Sequence, residues 1–262
     1  MNMKIVVCIK QVPSSNEVRL DPVTKTILRD GNQSVINPFD TYALEQAIEL
    51  KEQLGGEISV ISMGIPATER LLRDAMSRGA DRAVLLSDRA FAGADTLATS
   101  YALSLGIRQL GDFDLILCGR MAIDGDTAQI GPELAEHLAI PHLTNVEKII
   151  DITQQQMTVR RNIDGQRQLL QVKLPALLTV AKDINQPRMP NISGVESGEV
   201  APFQSLNAAA LQADVSRCGL NGSPTQVVRT SVPLRDNACA FFEGSLAEQV
   251  QALAARIKEE LK

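Results

Sequence analysis

The chain has no tryptophan, two tyrosines and six phenylalanines among its 262 residues, and aromatic side chains make up 3% of it. That scarcity disfavours a base-stacking platform for single-stranded nucleic acid. Only two histidines are present, His137 and His142, which leaves no His-rich metal cluster and no evident Ser-His-Asp grouping. The cysteines, Cys8, Cys118, Cys218 and Cys239, show no CxxC spacing and read as buried structural thiols in a reducing compartment. Basic charge is not in excess: 26 Lys and Arg against 31 Asp and Glu give a formal net charge of −5, which argues against nucleic acid and anionic membrane as partners. The apolar run Ile5–Ile9 is too short for a secretory h-region or a bilayer span, so a cytoplasmic location is expected.

Several nucleotide and catalytic signatures are missing as well. No two glycines are separated by a single residue, so the GxGxxG fingerprint cannot occur, and no GxxxxGK[ST] or GxSxG is found. What is present is a globular composition, with 44% hydrophobic and 22% charged residues. Short continuous apolar runs at Lys4–Ile9, Glu57–Met63, Arg82–Leu86 and Asp114–Cys118 read as strands covered on both faces. Between them, Ala43, Leu44, Ala47 and Ile48 fall on one helical face, Leu71, Leu72, Ala75 and Met76 on another, and a third helix covers roughly Asp95–Leu110. This alternation predicts an α/β fold with a doubly wound, mostly parallel sheet. After Pro141 the pattern changes: Asp164-Gly165 between Met157–Ile163 and Gln166–Leu174 predicts a β-hairpin, and Leu177–Ala181 a further strand. The stretch 183–207, rich in Pro, Asn, Ser and Gly, reads as an extended loop, and Ser245 with Glu248 as the capping box of a C-terminal helix. The expected division is a nucleotide-binding domain over 1–206 and a C-terminal arm with its helix over 207–262.

In open α/β sheets ligands lie beyond the carboxyl ends of the strands. The turns there are the first strand's end at Cys8, the helix start Asn37-Pro38-Phe39-Asp40 with Asn as cap, Gly93–Ser100 with Asp95, Thr96 and Thr99, and the loop Gly119–Gly131. In that loop Asp126 and Gln129 fit a capping box, and the glycines let N–H groups approach an anion. Each turn also has an ordinary structural reading, as helix capping. Asp124 and Asp126 would repel phosphate and suit backbone caps or ribose hydroxyls, whereas Thr127, Thr96 and Thr99 offer hydroxyls to it. His137 reads as a helical surface residue. Residue chemistry thus leads to a nucleotide-binding α/β protein with no catalytic apparatus of its own.

Taken in order, these turns resemble the β subunit of the electron transfer flavoproteins, a fold like that of the adenine nucleotide α-hydrolases. The resemblance rests on Met3-Lys-Ile-Val-Val-Cys-Ile-Lys-Gln-Val-Pro13, Ile36-Asn-Pro-Phe-Asp-Thr-Tyr-Ala-Leu-Glu45, Met76–Asp81, Asp114–Ala128, Leu174-Pro-Ala-Leu-Leu-Thr179 and Asn185-Gln-Pro-Arg188. It implies a heterodimer with an α subunit carrying a redox-active FAD, serving a dehydrogenase such as an acyl-CoA dehydrogenase. The β subunit's own adenine nucleotide is then AMP in simple carriers, or a second FAD reduced by NADH in electron-bifurcating members. Phe91–Ser100 and Gly222-Ser-Pro-Thr-Gln-Val227 resemble the bifurcating type, with the AMP-binding carrier as the alternative. By resemblance the cofactor site takes in Cys8 at the adenine, Asn37, Pro38, Phe39 and Asp40 at the adenosine, and Met63 along the base. Asp124, Gly125, Asp126, Thr127, Ala128, Gln129, Ile130 and Gly131 fall at ribose and phosphate, and Asp95, Thr96 and Thr99 at a pyrophosphate. Two departures stand out. Met121 replaces the family's common Gln, and Asn191–Val200 carries Glu196 and Glu199 where the family has a basic docking segment, which implies an unusual partner or another docking surface. A universal-stress-type ATP-binding protein is the rival reading, but its Gly-x-x-Gly with Gly-Ser/Thr nine residues on is not found. The HxGH signature of adenylyl-transferring enzymes is also missing.

Overall fold

A computed structural model describes residues 2–14, 34–182, 184–228, 239 and 241–261. The elements of the first half are β1 (Met3–Cys8), β2 (Gln11–Pro13), β3 (Ser34–Ile36), α1 (Pro38–Leu54), β4 (Gly56–Met63), α2 (Glu69–Arg78), β5 (Arg82–Leu86), α3 (Thr96–Leu110), β6 (Leu115–Gly119) and α4 (Ile130–Leu138). The second half adds β7 (His142–Ile152), β8 (Gln156–Ile163), β9 (Gln166–Lys173), β10 (Ala176–Val180), α5 (Ile192–Val200), β11 (Phe203–Leu206) and α6 (Leu246–Glu260). One nine-stranded sheet runs in the order β11-β5-β4-β1-β6-β10-β7-β8-β9; only the β7–β8 and β8–β9 pairs are antiparallel.

Strand β1 shows why the sheet is covered on both sides. Its alternate residues Met3, Ile5 and Val7 join a cluster with Leu44 and Ile48 of α1 and Leu72 of α2. Val6 and Cys8 face a second cluster, with Ala102 and Ile107 of α3 and Leu134 of α4. Because side chains alternate along a strand, a continuous apolar run signals two buried faces. The chain proceeds from β1 outward to β4 and β5, then returns to lay β6 on the other side of β1. The strand order therefore reverses at β1 and β6, where such sheets open a crevice.

The Asp164-Gly165 hairpin is as expected, with both residues at positive φ (51° and 75°), the requirement of a two-residue type I′ turn. Three expectations are corrected. Residues 183–207 are not an extended loop: α5 packs on α2 and β11 extends the sheet beside β5. Helix α5 can lie close because a Cβ at Gly198 would press on the Ser77 backbone N at 2.8 Å, and Asn191 caps it by accepting from the Gly194 N–H at 2.7 Å. Cys239 is exposed, unlike the other three cysteines, which are buried. His137 is half-buried, its ring edge-on to Tyr101 with centroids 6.1 Å apart.

The described residues form two units, Met1–Gln226 and Val227–Lys262. Ala208, Leu211 and Cys218 belong to the core of the first. The second contains α6, whose Ser245 N–H donates to Glu248 Oε2 at 2.7 Å in the expected capping box. Among the described residues no helix is long and apolar enough to cross a membrane, and no group of three or more His, Cys, Asp or Glu could hold a metal ion.

Candidate functional site

The floor of the crevice is built by the first turn of α1. Asn37 does not cap that helix with its side chain as expected; Pro38 does occupy the first helical position. Instead the buried Asn37 reaches across the chain, its Nδ2 donating to Asp40 Oδ1 and to the Met121 carbonyl, each at 2.9 Å. Its Oδ1 accepts from the Ile123 N–H at 3.2 Å. Asp40, also buried, accepts from the N–H of Lys10 at 2.7 Å and of Gly119 at 3.2 Å. One carboxylate thus ties the ends of β1 and β6, the two strands that flank the reversal. Burial raises the Asp40 carboxyl to about 7, against the opposing pull of its N–H donors at Lys10, Asn37 and Gly119. Gly119 is required here: a Cβ would collide with Asp40 Oδ1 and lie 2.7 Å from Phe39 Cβ. Phe39 is partly exposed beneath the Arg120 guanidinium, 5.5 Å from its ring centroid.

Cys8 and Cys118 lie together under the crevice, buried, and the Cys118 thiol is pushed up by its hydrogen bond with Cys8 and by burial. Met63, at the end of β4, is partly buried against the same cluster. Neither side chain offers a charged group, so any ligand here meets main chain and apolar surface.

The roof is the loop 120–129. Residues 124–129 are exposed, Ile130 is partly buried and Gly131 buried. Asp126 and Ala128 adopt left-handed backbone (φ 54° and 55°), uncommon for residues with a Cβ and concentrated at ligand-binding segments. The expected Asp126–Gln129 capping box is not formed, because α4 starts only at Ile130 and Gln129 makes no side-chain cap. Pro132 sits in the first turn, where its missing N–H costs nothing. Gly131 serves packing, since a Cβ there would press on Thr179 of β10. Asp124 Oδ1 pairs with Lys10 Nζ at 2.6 Å, joining roof to floor.

The start of α3 forms the remaining wall. Asp95 caps the helix, accepting from the Ala98 N–H at 3.1 Å. Its other oxygen accepts from the Thr225 N–H at 3.1 Å and hydroxyl at 2.7 Å, and its own N–H donates to Ser223 Oγ at 2.8 Å. Burial alone would raise this carboxyl, but the donors at Ala98, Thr225 and Ser223 outweigh it and hold it below the usual range. Thr96 Oγ1 lies 3.2 Å from Gln129 Oε1 and 3.1 Å from Glu133 Oε1, so its single proton serves α4. Thr99 remains partly exposed. The N–H groups of Thr96 and Leu97 lie in the first turn, where no intrahelical acceptor exists.

A model of the electron transfer flavoprotein domain matches residues 24–210. The chain is 48% identical to an electron transfer flavoprotein subunit beta from Thermoanaerobacterium thermosaccharolyticum, over 97% of this chain and 98% of that protein. The chain belongs to the electron transfer flavoprotein β-subunit family. It is also 44% identical to Protein FixA of Azorhizobium caulinodans, covering 97% of this chain and 94% of the relative. Identity is 42% to the caffeyl-CoA reductase-Etf complex subunit CarD of Acetobacterium woodii, covering 98% of each.

In this β-subunit chain the structure brings Asn37–Asp40, Lys10 and residues 121–124 together at the ends of β1 and β6, next to Cys8, and sets Thr96 beside Gln129. Sequence reasoning placed Lys10 in the turn after Cys8 without its ties to Asp40 and Asp124, and missed Glu133, Ser223 and Thr225 as parts of the site. Nothing local marks Glu133, one turn inside α4; the Ser-Pro-Thr run was visible, but not its contact with Asp95. It also missed Arg188, whose guanidinium and N–H grip Glu45 of α1 at 2.9–3.1 Å and whose Nη1 contacts Glu52 at 2.5 Å.

Proposed function

We propose that this chain is the β subunit of a cytoplasmic heterodimeric electron carrier and holds an adenine nucleotide in the crevice at the ends of β1 and β6. The observation that carries the reading is the Asn37–Asp40 tie, which fixes both strand ends under a loop of exposed N–H and hydroxyl groups. The residues present fit a nucleotide. Cys8, Met63 and Phe39 supply apolar side chains, as a base requires, and the exposed 124–129 loop offers Thr127 and main chain to ribose and phosphate. Asp124 would have to leave Lys10 to meet a ribose hydroxyl.

FAD is favoured over AMP in this site. Asp95 draws the Phe91–Ser100 and Gly222–Gln226 segments together, next to the first-turn N–H groups of Thr96 and Leu97 and the hydroxyl of Thr99, which suits a pyrophosphate. Asp95 acts here as an organiser of the wall, since its oxygens are already used by protein donors. A bound FAD would supply two-electron chemistry with NADH as donor; this chain's residues would position it. The redox-active FAD of the α subunit, and a partner of the acyl-CoA dehydrogenase class, complete the path. The naming of one relative for a caffeyl-CoA reductase-Etf complex supports a partner enzyme that acts on a CoA thioester. The C-terminal arm and helix over 207–262 are assigned to contact with the α subunit, and the acidic segment 191–200 to an unusual partner or to docking through another surface. Co-expression with the α subunit followed by cofactor counting tests this: two FAD per heterodimer support it, one FAD with AMP indicates a simple carrier, and isolated chain holding ATP overturns it.

A further inference from the structure

Glu133 occupies an unexpected position. It projects from α4 onto the start of α3, its Oε1 3.1 Å from the Thr96 hydroxyl and its Oε2 3.4 Å from that of Ser100. The carboxylate is half-buried, while Ser100 is fully buried and its single proton goes to the nearer Leu97 carbonyl at 2.9 Å. A phosphate placed on the N-terminal turn of α3 would need the Thr96 hydroxyl that Glu133 holds, and would stand against a negative charge in a region partly shielded from water. Like charges at such range disfavour ionisation of one of them.

We propose that Glu133 controls entry of phosphate to this wall: ionised, it competes with Gln129 for the single proton of Thr96 and repels the ligand; carrying a proton from solvent, it releases that hydroxyl and donates its own O–H to a phosphate oxygen. The inference rests on the nucleotide reading above and adds to it a specificity residue and a proton linkage. The surroundings agree. From α3 the groups facing Glu133 are Thr96 and Ser100, with Asp95 the charged neighbour, and burial together with Asp95 raises the Glu133 carboxyl above its ordinary value. On its own helix His137 follows one turn on, itself held toward the neutral form by burial and by Arg217. Strand β10 presents the uncharged Thr179 beside Gly131, and the charges of β7, at His142, Glu147, Lys148 and Asp151, are not among the influences on Glu133. Among the described residues no salt bridge to Glu133 is formed.

The test is the affinity of the co-expressed heterodimer, stripped of nucleotide at this site, for FAD between about pH 5 and about pH 8, where the pyrophosphate of FAD does not itself titrate. One linked proton gives a dissociation constant rising about tenfold per pH unit above the Glu133 titration. Glu133→Gln should bind at high pH as tightly as the natural chain does at low pH, with a flat profile. A residue that merely glues α3 to α4 would change affinity without changing that slope, so equal slopes in both proteins, or a flat profile in the natural chain, overturn the proposal. If Glu133→Gln does not fold, Glu133→Ala carries the same comparison of slopes. Failure of both FAD and AMP to bind at any pH would overturn the nucleotide reading itself, and the proposal with it.

Discussion

The carboxylate of Asp95 accepts two hydrogen bonds from Thr225, one from its N–H at 3.1 Å and one from its hydroxyl at 2.7 Å. These residues lie far apart in sequence, and the contact fastens the segment after Gly222 to the head of α3. Asp95→Ala removes a helix cap and this clasp together, a loss of about 1–2 kcal/mol. Amide hydrogen exchange should accelerate at residues 222–226 while the β1 and β4 amides keep their protection. Unchanged exchange at 222–226 would show that the clasp carries no weight.

Asp40→Asn should be more damaging than its near-identical shape suggests. The carboxylate accepts from three N–H donors, whereas an amide would turn an NH2 group toward one of them. An orphaned buried donor costs about 1–3 kcal/mol. Urea unfolding midpoints of the two proteins, at equal m-value, measure it.

The same residue gives a pH dependence. Its carboxyl is raised by burial from 3.8 to about 7 in the folded chain. Between those values the folded state keeps a proton that the unfolded chain has lost, so stability falls as pH rises. The Asp40 contribution should be complete below about pH 3.8 and gone as pH passes about 7. Comparing unfolding free energies of natural chain and Asp40→Asn across this window isolates it; a difference that grows with pH would contradict the sign.

Arg188→Ala leaves Glu45, buried at 5% exposure, without its bidentate partner. Breaking a fully buried pair costs about 3–5 kcal/mol. Arg188 is 36% exposed, so solvent screening should bring the loss to about 2–3 kcal/mol. Arg188→Lys should recover less than half of it, because an ammonium cannot span both carboxylate oxygens. Denaturant unfolding reads both variants.

The parallel half of the fold was legible because strands buried on two faces write unbroken apolar runs, as at Lys4–Ile9 and Asp114–Cys118. The Asp164-Gly165 turn was legible because its backbone demands those residues. Helix α5 was not, since Gly194 and Gly198 are helix-poor residues retained for close approach to Ser77, and only their spacing of four and the Asn191 cap hinted at it. Strand β7 was missed because its mixed burial, with only Val146 fully inside, gives no clean period. At the site, the residue types at Asn37–Asp40 were found but their geometry was not: side chains expected to cap or touch a ligand instead hold main chain from Lys10, Gly119, Met121 and Ile123.

Because Asp40 clamps Lys10 to Gly119, the two central strands cannot part to let a large molecule in or out. On the proposed nucleotide reading the ligand would pass by lifting the covering loop, which the surface ion pair of Lys10 with Asp124 latches. Residence time of whatever lies beneath would then answer to ionic strength and to that loop's backbone, and hardly at all to the firmness of the β-sheet core.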